Sequence, residues 1–279
     1  MKIKLFAVIA AMLSLLSLAG CDILEQITAP RETVTARPTV RVTVPEGYTV
    51  YQIAQLLEEN GVCPSKDFIA AVNTPPADNI FAAAIPNAGE RPFLLEGYVF
   101  PDTYDFYVGE PAAGALDRFL SNMKTKLTDA DYTRAAELGC TMDQIITIAS
   151  LIQEEAGMPL EDVKVSSVIH NRLGSKDYPL LQLDASYEYL DLSVEPLITG
   201  GREKYNATYN TYVCKGLPAG PISNPGRASI DAALYPADTA YYFYRTDKNR
   251  NFYYAETYAG HLANGEKVKK ADAASGVPG

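Results

Sequence analysis

Residues 149–157, ASLIQEEAG, end an apolar run in two adjacent carboxylates, Glu154 and Glu155. Ile145, Ile148, Ala149 and Ile152 fall at i, i+3, i+4 and i+7, the stripe of one buried helical face. Glu155 lies three residues after Ile152 and seven after Ile148, and so continues the stripe. Glu154 is rotated from it by about 100°, over Thr147 and Ser150 on the polar side. Burial disfavours the ionised form of a carboxyl group and raises its pKa. The spacing therefore singles out Glu155 as an acid able to hold its proton near neutral pH and give it to a leaving oxygen. The competing reading is a helix that ends in two solvated glutamates.

Several elements must position that helix. Thr141 caps it, with Gln144 completing a capping box, and residues 160–173 form a second amphipathic helix through Val163, Val168, Ile169 and Leu173. Far upstream, Val40, Val42 and Val44 alternate with Arg41 and Thr43 as a strand, and Pro45-Glu46-Gly47 turns the chain. Thr49 caps a helix carrying Val50, Ile53, Ala54 and Leu57, and Ser65 is placed to cap another with Phe68, Ile69 and Val72. Four prolines in residues 74–92 mark a boundary. Residues 115–127 read as helix, with Pro111 and Gly114 arguing against an earlier start. Beyond Tyr178 the pattern is strand and loop, ending in a hairpin of AYYFYRT (240–246) and NFYYAET (251–257) around DKNR. The expected class is α+β: a βαα module at 39–75, a linker at 76–92, a mixed α+β domain at 93–265 and a low-pattern tail at 266–279.

The formal net charge is −10, with no dense Lys/Arg run beyond the extreme N-terminus, which argues against nucleic acid as a partner. A neutral polymer or small molecule fits better. There are 19 Tyr and no Trp; tyrosine suits sugar contacts and core packing alike. Met1-Lys2-Ile3-Lys4 precedes an apolar run, residues 5–16, too short to span a membrane comfortably, and then LAGC at 18–21. That pattern predicts a lipoprotein signal peptide (1–20), a lipid on Cys21, and a Thr/Pro-rich tether (21–38) holding the chain at the extracytoplasmic face of the cell membrane. Cys63, Cys140 and Cys214 then remain, an odd number that cannot pair completely. No metal-ligand spacing joins them to His170 or His261, so no metal and no cofactor are expected. GxSxG, HExxH and phosphate-loop patterns are absent from the sequence.

Four segments in order carry a more specific signal: LEGYVFPDTYDF (95–106), IASLIQEEAG (148–157) followed by VSSVIHNRL (165–173), PLLQLDASYEY (179–189), and YNTYVCKGLPAGPISNPG (209–226). Together they resemble the YceG-like endolytic murein transglycosylases, and the module before them resembles that family's LysM-like domain. The resemblance covers residues 39–263. It implies a chain that cuts peptidoglycan glycan strands internally, with a catalytic glutamate in a motif like ASIVEKET; aligned without gaps, that glutamate falls on Glu155. Gln153 stands where the motif has its first Glu, Ala185 and Ala219 where the family often has Pro, and Phe252 where a His is common, whereas His261 matches a second His.

The implied reaction uses no water. The muramic acid C6 hydroxyl attacks C1 and closes a 1,6-anhydro ring, so one glutamate can protonate the leaving oxygen and then accept the C6 proton. Ordinary glycosidases need two carboxyl groups. Among the matched motifs, Glu96 and Asp184 are candidates to orient Glu155 or support positive charge, or else cap turns. Gln182 and Asn210 are candidates to hold sugar hydroxyls or acetamido groups, or else loop backbone. Tyr104, Tyr209 and Tyr212 are candidate stacking walls, or core. The Gly/Pro-rich loop with Asn224 shapes the cleft, Asn224 itself being a structural candidate, and His170 reads as a packed or surface residue. Implied partners are glycan strands, the membrane through the lipid, and cell wall synthesis proteins. The rival is a non-catalytic peptidoglycan-binding lipoprotein or scaffold.

Overall fold

The computed structural model describes residues 37–275. Cys21, the signal peptide and nearly all of the tether lie outside the described residues. Strand β1 (Thr39–Thr43) forms where the alternation places it, and pairs antiparallel with β2 (Thr103–Tyr107), Thr39 opposite Tyr107 and Thr43 opposite Thr103. Val42, Tyr104 and Phe106 bury one face, while Arg41 and Asp105 pair at 2.8 Å on the exposed face, where such a pair adds little.

Helix α1 (Val50–Glu59) follows with Thr49 as the expected cap, Gln52 completing a capping box that the sequence reading did not foresee, and buries Val50, Ile53, Ala54 and Leu57. Helix α2 (Ser65–Asn73) departs from expectation at its start: Pro64 holds the N-cap position without a side-chain bond, and Ser65 is already helical. The fixed φ of proline sets the entry angle there in place of a cap. A short α3 (Ile80–Ala84), capped by Asn79, lies in the proline-rich stretch. Helix α4 (Ala112–Lys126) begins earlier than expected, directly after Pro111, which suits a helix start because it has no N–H to leave unsatisfied.

After α5 (Asp129–Glu137) comes α6 (Met142–Glu155), the centre of the molecule. Ile145, Ile146, Ile148, Ala149, Leu151 and Ile152 are all fully buried. Thr147 and Ser150, the supposed polar side, are buried as well. Their hydroxyls turn back to the helix backbone: Thr147 donates to the Asp143 carbonyl and Ser150 to the Thr147 carbonyl, each at 2.8 Å. Helix α7 (Pro159–Leu173) packs on α6.

Beyond Tyr178 the chain is mainly helical rather than strand and loop: α8 (Asp184–Tyr189), a π turn (Leu190–Val194), α9 (Gly201–Tyr209) and α10 (Arg227–Leu234) precede the hairpin. Helices this short show little periodicity and form because tertiary packing holds them; α10 lies against both α6 and α7. The hairpin is present as expected, β3 (Phe243–Thr246) against β4 (Phe252–Ala255). Helix α11 (Tyr258–Ser275) runs into the supposed tail, making residues 266–275 helical. The described residues from Pro38 onward form one compact unit. Within it, β1 takes its partner from beyond the 76–92 segment, and α2 packs on α4. The class is α+β. Among the described residues, no single helix is long and apolar enough to cross a membrane.

Candidate active site

Glu155 is the last residue of α6 and opens into a cavity of about 650 Å³. Its Oε2 accepts a 2.7 Å hydrogen bond from Tyr244 Oη, and the Ala185 N–H donates to the same carboxyl group. Burial is the largest influence and pushes the Glu155 pKa up. The nearby charges of Asp184 and Glu188 push the same way, and the two donors pull back. The negative end of the helix dipole also disfavours a second negative charge at this point. The result is a carboxylic acid that keeps its proton above the usual range while Tyr244 fixes one of its oxygens.

Tyr244 reaches Glu155 because β3 is held in place by Arg172 of α7, which is buried. Arg172 Nε donates to the Tyr242 carbonyl at 2.6 Å, and Nη1 to the carbonyls of Leu180 and Leu181 and to Gln182 Oε1 at 2.9–3.1 Å. Its guanidinium lies 4.9 Å from the Phe243 ring centroid. One cation thus ties the hairpin to the segment leading into α8. Gln182 sits in the left-handed region at φ 56°, a conformation that costs energy outside glycine and that the Arg172 and Thr211 contacts hold.

Of the residues singled out by sequence, Glu155, Gln182, Asp184 and Tyr212 line the same cavity. Tyr212 Oη donates to Asp184 Oδ1 at 2.6 Å, so these two form one exposed polar wall. The other candidates are elsewhere. Glu96 is 0% exposed; it accepts from the Val50 N–H and Asn224 Nδ2, both at 2.8 Å, and from Tyr189 Oη at 3.1 Å. Burial pushes its pKa up to about 8, and it holds the fold together out of reach of substrate. Tyr104 is buried, with its hydroxyl on the Phe100 carbonyl at 2.6 Å. Tyr209 is also in the core, stacked on Tyr189 at 5.5 Å, and its hydroxyl has no hydrogen-bond partner among the described residues. Neither tyrosine is a stacking wall of this cavity. Asn210 accepts from the Tyr212 N–H at 3.0 Å and so shapes the turn that presents Tyr212. Asn224 is structural as expected, bridging Val99, Tyr48 and Glu96. His170 is packed, with Nε2 on the Ala233 carbonyl at 3.0 Å.

Glu154 is not a solvated helix end. The residue is exposed at a rim, but its carboxyl group turns inward: its Oε1 would stand 2.9 Å from a Cβ at Gly47, it accepts from the Ser223 side chain, and the local desolvation raises its pKa too. What separates the two glutamates is direction: Glu155 borders the large cavity and Glu154 a second one. Gln153 is an anchor, its Oε1 accepting from Gly226 N–H at 3.0 Å and Ser229 Oγ at 3.1 Å.

Sequence reasoning missed Tyr244, Arg172 and Phe243 as site residues. The aromatic density of the hairpin was the available signal. His261 also lines the cavity, its ring stacked on Phe243 at 5.1 Å. Its Nδ1 is buried without a partner among the described residues, and burial favours the neutral ring.

A profile described as the YceG-like family matches residues 17–267. The chain belongs to the YceG-like family. It is 27% identical over 234 residues to a Bacillus subtilis protein named endolytic murein transglycosylase, a match covering 81% of this chain and 64% of that one. A Streptococcus pneumoniae protein of the same name is 27% identical over 256 residues, covering 84% and 45% of the two chains. The chain thus spans less than two thirds of the length of these relatives. The crystal structure of a YceG-like protein from Listeria monocytogenes superposes with a TM-score of 0.65 at 28% identity, covering 84% of this chain and 78% of that chain. The matched region of this YceG-like chain includes Glu155 and every wall of its cavity except the last turns of α11.

Proposed function

We propose that this YceG-like chain is an endolytic murein lytic transglycosylase that cuts the MurNAc–GlcNAc bond and leaves 1,6-anhydro-MurNAc ends. The observation that carries the reading is Glu155: a desolvated carboxyl group, oriented by Tyr244, in a cavity with polar walls, within a family whose named relatives bear that activity. Glu155 donates its proton to the leaving O4 of the neighbouring sugar as the C1–O bond breaks. The carboxylate so formed accepts the proton of the C6 hydroxyl as O6 bonds to C1. The Tyr244 hydroxyl and the Ala185 N–H stabilise that carboxylate between the two transfers. Asp184 places negative charge on the wall where positive charge develops at C1.

The strand, two helices and returning antiparallel strand of residues 39–107 support a LysM-like module. The N-terminal pattern supports a lipid on Cys21 and a place on the outer face of the cell membrane, where cell wall synthesis proteins are the natural partners. The decisive experiment incubates purified glycan strands with the enzyme in ¹⁸O-labelled water and reads new ends by mass spectrometry. Anhydro ends without label are expected. Labelled reducing ends would make the chain a hydrolase, with Asp184 as the candidate for the second carboxylate. Absence of cleavage at every strand length would make it a binding protein. Glu155→Gln is expected to lower cleavage by about 10²–10⁴-fold, while Glu154→Gln keeps most of it. Intact mass of the membrane-extracted protein tests the lipid on Cys21.

A further inference from the structure

The second cavity, of about 340 Å³, lies on the other side of the paired glutamates. Its lining draws on the turn between β1 and α1 (Tyr48, Gln52), on α6 (Glu154), and on α8 with the π turn after it (Ala185, Glu188, Leu192). Two adjacent-residue pairs divide the cavities. Glu155 and Asp184 border the larger one, Glu154 and Ala185 the smaller. Ala185 also gives its N–H to Glu155, so the catalytic carboxyl group stands at the junction. The charge of Glu188 acts on both Glu154 and Glu155, which places it at the same divide.

Cleavage inside a polymer needs sugars on both sides of the broken bond, with the acid between them. The larger cavity lies on the Glu155 side of the glutamate pair and the smaller on the Glu154 side, so together they flank the acid. From this, and resting on the proposed function, we infer that the smaller cavity is a glycan subsite, taking N-acetylhexosamine units across the scissile bond from those in the larger cavity.

Its chemistry fits an uncharged, hydroxyl-rich ligand. Tyr48 is half-buried and Leu192 is 69% exposed, giving a flat apolar surface for a sugar face. Gln52 offers an exposed amide, and Glu154 and Glu188 offer carboxyl groups to hydroxyl and acetamido protons. No Lys or Arg lines the cavity among the described residues, so a phosphate finds no counter-charge, and the uncharged N-acetylglucosamine fits better than N-acetylmuramic acid with its lactyl carboxylate. The volume falls at the lower end of the range for small-ligand sites, the scale of a short stretch of sugar rather than of a whole strand.

The chain has no tryptophan, so Leu192→Trp places a single reporter at the rim of this cavity. The full chain carrying Leu192→Trp and Glu155→Gln is titrated with peptide-free strands of alternating N-acetylglucosamine and N-acetylmuramic acid, eight sugars long. Binding is followed in parallel by calorimetry and by Trp emission. A saturable change in emission with the same apparent affinity as the heat is expected. Adding Glu188→Ala, at an exposed position, is expected to weaken both about 10-fold. Heat of binding with silent Trp emission and no effect of Glu188→Ala would overturn the subsite and leave the proposed function standing. A Trp response to the free stem peptide, and none to the strands, would overturn the sugar assignment. No heat with any strand, together with no anhydro ends from the unaltered enzyme, would remove the subsite and the proposed function together.

Discussion

Tyr244 is the residue that most changes how Glu155 is understood. Its hydroxyl stabilises the ionised carboxyl group, against burial and the charges of Asp184 and Glu188. Glu155 must be protonated to act as an acid, so activity falls as pH rises through its pKa. Tyr244→Phe removes a donor that favours the charged form, and the alkaline limb of kcat/KM should move upward by about one pH unit, with a lower plateau. A limb that stays in place while the plateau falls would mean that Tyr244 merely packs. Tyr209 provides the opposite case. Its buried hydroxyl has no partner among the described residues, a state that costs about 1–3 kcal/mol. Tyr209→Phe should therefore keep or raise the melting temperature and leave cleavage intact. A large loss of cleavage at unchanged stability would return Tyr209 to the substrate site.

At the scale of elements, Glu96 and Asn224 fasten the start of α1 to the loop before α10. Asn224 Oδ1 accepts from the Val99 N–H, and its Nδ2 donates to the Tyr48 carbonyl and to Glu96. The Glu96 carboxyl has a pKa of about 8 when folded, against 4.5 for the unperturbed group. Between those values the folded state holds a proton that the unfolded chain has lost. Its contribution to stability is therefore complete below pH 4.5 and is lost as pH rises to about 8, by at most about 1.4 kcal/mol per pH unit. Glu96→Gln keeps an oxygen for Val50 and Asn224, and should flatten the fall in denaturation midpoint between pH 5 and pH 8. An unchanged slope would show that Glu96 is ionised in the fold.

For the whole molecule, the pairing of β1 with β2 has a consequence for truncation. Val42, Val50, Ile53 and Leu57 belong to the same buried cluster as Leu95, Ile146 and Ile152. Removing residues 39–75 would bare that cluster and leave β2 as an unpaired edge. A chain beginning at residue 93 should aggregate or lack a cooperative melting transition. A monomeric chain melting cooperatively from residue 93 would make the N-terminal segment a separable module.

The sequence alone determined what local periodicity and capping can encode. It placed Glu155 on the apolar stripe of α6, marked the Thr49 cap and the Thr141 capping box, and announced the β3–β4 hairpin, because each depends on neighbours within a few residues. Only the tertiary structure decided which motif residues meet. Glu96, Tyr104 and Tyr209 look like Asp184 and Tyr212 in a linear motif, yet three are core and two are wall, because burial is set by elements far along the chain. Tyr244 meets Glu155 across 89 residues of sequence, through a register that Arg172 fixes by bonding backbone carbonyls, which carry no side-chain identity to read. Helices α8, α9 and α10 were illegible for a related reason: segments of six to nine residues owe their helicity to the surfaces they pack on.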